Sequence, residues 1–135
     1  MMKLVNIIDF NSLGDLRGGL ISLESNINIP FKIERVYYLF NTDPSVTRGF
    51  HAHKKLQQVA VCVKGSCIFT LDDGTAREEV LLNSPFKGLY INAMKWREMH
   101  SFSADCVLMV LADSHYDESD YIRNYEDFKC QVLKK

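Results

Sequence analysis

Along the chain, short apolar runs alternate with turn-forming residues at close intervals, a pattern of many short strands rather than long helices. Residues 33–40, rich in β-branched and aromatic side chains, predict a strand, and 41–45 (Asn-Thr-Asp-Pro-Ser) a loop. Residues 56–63 predict another, with Val59, Val61 and Val63 on one face and Ala60 and Cys62 on the other. Both faces are apolar, so this strand belongs inside the fold. Lys64-Gly65-Ser66 turns the chain, and 67–71 is expected back as its hairpin partner. Asp72-Asp73-Gly74 signals a tight turn, and 78–82, 88–92 and 106–112 read as further strands. Only the tail, 119–132, has helical spacing: Tyr121, Tyr125 and Phe128 would share a face, with Asp117 or Ser119 as cap. Residues 4–10 form an apolar segment without an evident partner in one small barrel. An uncovered edge strand is a liability, so a second subunit is expected to pair with it. The expectation is an all-β antiparallel barrel or double sheet with a short C-terminal helix, a single domain over residues 1–135.

Composition narrows the partners. Hydrophobic residues make up 47% of the chain, ordinary for a globular domain, and the formal net charge is -1. No global basic field attracts nucleic acid, so an anionic ligand must be held by local Arg and Lys. The first nine residues are interrupted by Asn6 and Asp9 and lack the apolar stretch of a signal peptide. No run approaches the ~20 apolar residues of a membrane span. A cytoplasmic protein without membrane or nucleic-acid partners is expected. The four cysteines, Cys62, Cys67, Cys106 and Cys130, then read as reduced. Cys62 and Cys106 lie in apolar runs, and no Cys spacing matches a zinc pattern, so neither a disulfide nor a metal role is expected of them.

The chemistry-bearing segment is Arg48-Gly49-Phe50-His51-Ala52-His53-Lys54. On a strand, residues two apart share a face, so His51 and His53 project together and Phe50 and Ala52 point away. Such a pair can ligate a metal, act as general acid and base, or simply be polar residues of a strand. Two imidazoles flanked by Arg48 and Lys54 are costly to shelter without an anionic partner, which argues for a bound anion.

His51, His53, Gln58 and Gly65 resemble the first cupin motif, H-x-H followed after four residues by an acceptor and after six more by Gly. Metal-binding cupins carry Glu where Gln58 stands, and a neutral amide is the poorer ligand. The third ligand position of the second motif, counted from Gly88, falls on Met99; neighbouring His100 would face the other side of its strand. With too few ligands for a catalytic metal, no metal and no cofactor are expected. The wider pattern is sharper still. R-G-F-H-A-H-K-K-L-x-Q-V, with the downstream G-S-C, L-D-D-G, G-L-Y-I, W-x-E-M-H and Y-D-E-S-D-Y-I-R-N-Y, resembles the sugar-nucleotide 3,4-ketoisomerases across residues 14–128. The resemblance implies a metal-independent cupin, usually homodimeric. By the same resemblance it is expected to act on dTDP-4-keto-6-deoxyglucose in the biosynthesis of 3-amino-3,6-dideoxy sugars of cell-surface polysaccharides.

It also implies roles. His51 is expected as the base at C3 of the sugar, His53 as its proton-transfer partner, and Tyr37 as a hydroxyl that polarises the carbonyl or relays a proton. Arg17, Arg35, Arg48 and Arg97, with Gln58, are the expected substrate-binding set, since Arg forks onto phosphate oxygens. In the family, the residues matching 17 and 97 are Arg with His in galacto-forming enzymes and Tyr with Arg in gluco-forming ones. Arg17 with Arg97 fits neither pattern. Tyr38, Trp96 and Met99 are assigned to packing, Glu98 to a structural hydrogen bond, and His115 to no direct role. Two other enzyme classes share the scaffold, metal-dependent cupins and metal-free sugar-nucleotide epimerases. A sugar-nucleotide-binding cupin without catalysis is the remaining alternative.

Overall fold

Period-two alternation is realised in ten strands in the computed structural model, which describes residues 4–134. Residues 1–3, part of the N-terminal stretch read above, and Lys135 lie outside the described residues. In chain order the elements are β1 (Asn6–Asp9), β2 (Arg35–Leu39), β3 (Arg48–His53), β4 (Gln58–Lys64), β5 (Cys67–Asp72), β6 (Arg77–Leu82), β7 (Lys87–Ile91), β8 (Trp96–His100), β9 (Val107–Ala112), a 3-10 turn (Glu118–Asp120), β10 (Tyr121–Ile122) and α1 (Tyr125–Leu133). They form two five-stranded sheets, ordered β1-β7-β4-β9-β2 and β10-β3-β8-β5-β6, with every pairing antiparallel. The all-β double sheet with a short C-terminal helix is the architecture expected.

The doubly apolar strand β4 lies at the centre of the first sheet, between β7 and β9. Its Ala60 and Cys62 face the core between the sheets with Leu89, Leu108, Phe69 and Leu71. Its Val59 and Val61 face outward, where Phe10, Ile29 and Phe31 cover them. On the outer side of the second sheet, Ala52, Trp96 and Ile122 pack beneath Phe128 of α1. No helix among the described residues is long and apolar enough to cross a membrane.

Three expectations need correcting. First, β4 and β5 are not a hairpin. β4 pairs with β7 and β9, and β5 with β6 and β8, so Lys64-Gly65-Ser66 carries the chain from one sheet to the other. A strand buried on both faces needs two partners and a cover, which a simple hairpin does not supply. Second, the N-terminal segment does have an intrachain partner: β1 pairs with β7, Asn6 opposite Tyr90. Third, the tail helix starts at Tyr125, not near 119. Asn124 caps it by accepting from the Asp127 backbone N–H at 3.0 Å, whereas Asp117 caps only the 3-10 turn. Tyr121 and Ile122 are extended because they pair with His53 and Ala52 of β3.

β3 carries a bulge. Gly49 lies opposite Glu98 and His51 opposite Arg97, leaving Phe50 as the extra residue. Gly49 and Phe50 take φ of +95° and +58°. A Cβ on Gly49 would stand 2.8 Å from the Arg97 carbonyl oxygen. Gly49→Ala is therefore expected to cost about 1–3 kcal/mol in urea-unfolding free energy, through strain and backbone collision. Unchanged stability would mean that the bulge is not constrained in this way.

Candidate active site

Past the bulge, β3 turns His51 and His53 to the same side, ring centroids 4.9 Å apart and nearly perpendicular, while Ala52 points into the outer core. Tyr121 of β10 closes over both, its ring 5.0 Å from that of His51 and 4.4 Å from that of His53. His53 is almost wholly buried, and its Nδ1 lies 3.2 Å from Asp120 Oδ2. Asp120 is itself held: Oδ1 accepts from the Lys55 backbone N–H at 2.9 Å, and Oδ2 from that of Leu56 at 3.2 Å. A carboxylate fixed this way selects the Nδ1–H tautomer of His53 and leaves Nε2 as a bare acceptor.

A second chain of hydrogen bonds spans the two sheets. Arg97 of β8 is buried and donates through Nη1 to Gln58 Oε1 at 2.5 Å and through Nη2 to the Lys95 carbonyl at 2.9 Å. Because the Gln58 oxygen is committed, its amide nitrogen donates to Tyr37 Oη at 3.1 Å. The Tyr37 oxygen is thereby an acceptor in the network, and its O–H is free to donate elsewhere. Arg35 lies over the Tyr37 ring, 5.4 Å from its centroid.

Among the described residues, four buried side-chain polar atoms lack partners: Arg35 Nε, His51 Nδ1, His53 Nε2 and Arg97 Nε. Buried polar groups are normally satisfied, and unpaired atoms on these side chains are the signature of a ligand site. The groove beside them encloses about 390 Å³ and is lined by Arg35, Tyr37, Arg48, His51, Met99, Tyr121 and Arg123 among others, within the usual range for small-molecule sites. Arg123 stacks on Tyr121 at 4.2 Å and is held by Glu118.

The electrostatics follow from burial beside a cation. Desolvation first, then the Arg97 guanidinium, push His51 down to about 4. The same two causes, in the same order, hold His53 well below the ordinary imidazole range. Desolvation lowers Arg97 to about 10, which leaves it cationic near neutrality. Burial raises the Tyr37 phenol, so it stays protonated. At neutral pH the site thus presents an uncharged imidazole on the groove wall, a second one behind it, and a protonated phenol, with the Arg97 guanidinium beside them.

Of the expected site residues, His51, Tyr37, Arg35 and Arg48 line the groove, His53 lines the adjoining recess that shares Arg35 and Tyr121 with it, and Gln58 and Arg97 are buried behind Tyr37. The structure does not bring Arg17 to them. That residue stands in the exposed 13–20 loop, in an ion pair with Asp15 at 2.5 Å. Met99 faces the groove, and His100 points to the opposite face, where Thr70 and Glu79 meet it. Trp96 is core and Glu98 accepts its indole N–H at 2.9 Å. Tyr38, expected to pack, is 63% exposed on the outer face of β2. Sequence reasoning missed Asp120 and Tyr121. Both lie in the Y-D-E-S-D-Y stretch, where helical spacing masked a strand of two residues, too short to show a period of its own.

Comparison with known proteins finds likeness along nearly the whole chain. The family model described as FdtA: WxcM-like, C-terminal, matches residues 3–133. A TDP-4-oxo-6-deoxy-alpha-D-glucose-3,4-oxoisomerase from Aneurinibacillus thermoaerophilus is 55% identical over 128 residues, covering 95% of this chain and 92% of the relative. The crystal structure of the H51N mutant of the 3,4-ketoisomerase QdtA from Thermoanaerobacterium thermosaccharolyticum, in complex with TDP-4-keto-6-deoxyglucose, superposes with a TM-score of 0.96 at 44% identity, covering 100% of this chain and 98% of that one. The WlaRB TDP-quinovose 3,4-ketoisomerase from Campylobacter jejuni gives 0.91 at 48% identity, covering 96% and 99%.

The depressed histidines fix the sign of one pH effect. An unfolded imidazole titrates near 6.5, so between about pH 7 and about pH 4 the unfolded chain binds more protons at position 51 than the folded one. Stability must therefore rise with pH through that window and fall as pH drops through it. Thermal denaturation across the window is expected to give a steeper pH slope for the unaltered chain than for His51→Asn. Parallel slopes would mean that His51 is not held neutral.

Proposed function

The chain belongs to the FdtA family, and from that membership and the chemistry of the groove we propose that it is a metal-independent 3,4-ketoisomerase of dTDP-4-keto-6-deoxyglucose. The product is a dTDP-3-keto-6-deoxyhexose. The observation that carries the reading is a pair of neutral histidines in ring contact, His51 on the wall of an arginine-lined groove and His53 behind it, each with one ring nitrogen unpartnered.

The residues divide the work as follows. A proton is removed from C3, which the neighbouring ketone acidifies, and the C4 oxygen takes a proton to give an enediol. The C3 hydroxyl then loses its proton to become the ketone, and a proton is delivered to C4. His51, beside the open groove, is the base at C3. His53 transfers protons through Nε2, with Nδ1–H anchored on Asp120. The free O–H of Tyr37 is directed at the sugar oxygen, where charge develops. Its alignment is set by Gln58 and, behind it, Arg97. Arg35 and Arg48 hold the diphosphate from the groove wall. Arg97 adds positive potential at its base.

A homodimer fits what remains. Edge strand β2 exposes Val36 and Tyr38 in a row, with Phe40 next to them, an apolar strip that a second subunit would cover. Arg17 lies in a loop outside its own groove, so its place in the substrate set requires delivery to a neighbouring subunit's groove. The protein is assigned to the cytoplasm and to the biosynthesis of 3-amino-3,6-dideoxy sugars.

The direct test is NMR of dTDP-4-keto-6-deoxyglucose incubated with the protein in heavy water, with and without chelator. The expected result is a 3-keto sugar deuterated at C4, unaffected by chelator, whose ring couplings identify the C4 epimer. His51→Asn and Asp120→Asn are expected to slow turnover by roughly 10²–10⁴-fold, the size of a general acid–base contribution, while the fold is kept. Saturable binding without exchange or product would replace the isomerase with a binding protein, and inversion at a carbon without ketone movement with an epimerase. Light scattering is expected to give twice the 15.5 kDa chain mass. A monomer at working concentration would remove the dimer and the role of Arg17 in it.

A further inference from the structure

At the crossing between β4 and β5 lies a group of side chains the isomerase reaction does not use. Cys62 near the end of β4, Cys67 at the start of β5 and Cys106 just before β9 are all buried, with exposures of 0–1%. Their three Sγ atoms lie within 4.8 Å of one another, and those of Cys62 and Cys106 are 3.6 Å apart. Among the described residues, this is the only place where three or more His, Cys, Asp or Glu ligand atoms converge so closely.

We infer that Cys62, Cys67 and Cys106 form a three-thiolate binding site for a soft, three-coordinate metal or metalloid ion, with trivalent arsenic as the best match. The first ground is spacing. A pyramidal trivalent centre about 2.3 Å from each of three sulfurs sets them roughly 3.5 Å apart, close to the 3.6 Å of the Cys62–Cys106 pair, with the whole triangle inside 4.8 Å. The second is softness, since thiolates select soft ions; no carboxylate belongs to the cluster, and the one oxygen bonded to it, the Lys64 carbonyl, is a neutral acceptor from Cys62 Sγ at 3.2 Å. The third is charge. The surroundings are Phe69, Phe102, Leu89 and Leu108, and a net charge in such a place is costly. Three thiolates on a trivalent centre sum to zero, whereas on a divalent or monovalent ion they leave one or two negative charges buried.

The chemistry balances without an oxidant or reductant. Arsenous acid exchanges three As–O bonds for three As–S bonds, and each thiol proton leaves with a hydroxide as water. Arsenic stays trivalent and the cysteines stay reduced. Access lies through the cover of the cluster. Lys64, Ala104 and Asp105, close in sequence to Cys62 and Cys106, are exposed. The cover is held by the Ser66 backbone N–H donating to Ser103 Oγ and the Ser103 N–H to the Ser66 carbonyl, each at 2.9 Å. Gly65, at φ +71°, sits against Ser103, Asp105 and Cys106 with no room for a Cβ. Local opening of this small cover reaches the thiols without unfolding either sheet.

The test uses Cys130→Ser protein, which removes the exposed fourth thiol, incubated with sodium arsenite and read by native mass spectrometry. One arsenic per folded chain is expected, at the mass of a fully dehydrated adduct with three As–S bonds. An adduct on two sulfurs keeps a hydroxyl and is heavier by one water, which overturns the three-thiol site. So does the absence of an adduct, or a disulfide in its place, seen as the loss of two hydrogens. In the same background, Cys106→Ala and Cys67→Ala are expected to weaken binding by at least about tenfold and to shift the adduct to the hydroxyl-bearing mass. Unchanged affinity in either folded variant would also overturn it.

Discussion

Arg97 is the interaction on which the interior depends. A guanidinium shut between two sheets is expensive to bury, and such a group persists only where hydrogen bonds take up its protons. Here Gln58 and the Lys95 carbonyl take two of them. Gln58 therefore has only one orientation available, and that orientation makes Tyr37 an acceptor whose own proton is free. The same charge adds to burial in keeping both imidazoles deprotonated. One cation thus sets the direction of a hydrogen-bond chain and reinforces what burial does to both imidazoles.

The histidines owe their placement to a second constraint. In an unbroken strand, the pleat would aim residues 51 and 53 together wherever the register happened to put them. The bulge at Gly49 and Phe50 resets the register so that His51 stands beside Arg97. The pairing of Tyr121 with His53 then seals the far side with a ring in contact with both imidazoles. Asp120 reaches His53 because the two-residue strand that follows it is locked to β3.

Much of this could be read from the residues. Alternation located the strands to within one or two residues over 33–40, 56–63, 67–71, 78–82, 88–92 and 106–112, since those segments are half- or fully buried and their polarity follows the pleat. The His51–His53 pair stood out by residue type and spacing, whereas Tyr37, Gln58 and the arginines were singled out by the resemblance to a family, since a tyrosine or arginine on a strand carries no such mark of its own. Topology was less legible. Nothing local at Lys64-Gly65-Ser66 distinguishes a hairpin from a change of sheet, because the distinction lies in which distant strands flank β4. Asp120 and Tyr121 were hidden for a related reason. Their role rests on pairing across 67 residues, and their own segment mimics the first turn of the helix that follows.

That long span has a consequence for how the protein comes into being. Contacts distant in sequence form slowly and only after the intervening chain is in place, and during synthesis the C-terminal residues emerge last. A nascent chain that has made everything through β9 already owns both histidines and their arginine, yet nothing selects the tautomer of His53 and no ring covers the pair. The groove of an unfinished chain is therefore a set of groups without their alignment. The last residues after β9, with a single buried phenylalanine, Phe128, as their anchor, act as the clasp that aligns groups the rest of the scaffold has already brought together.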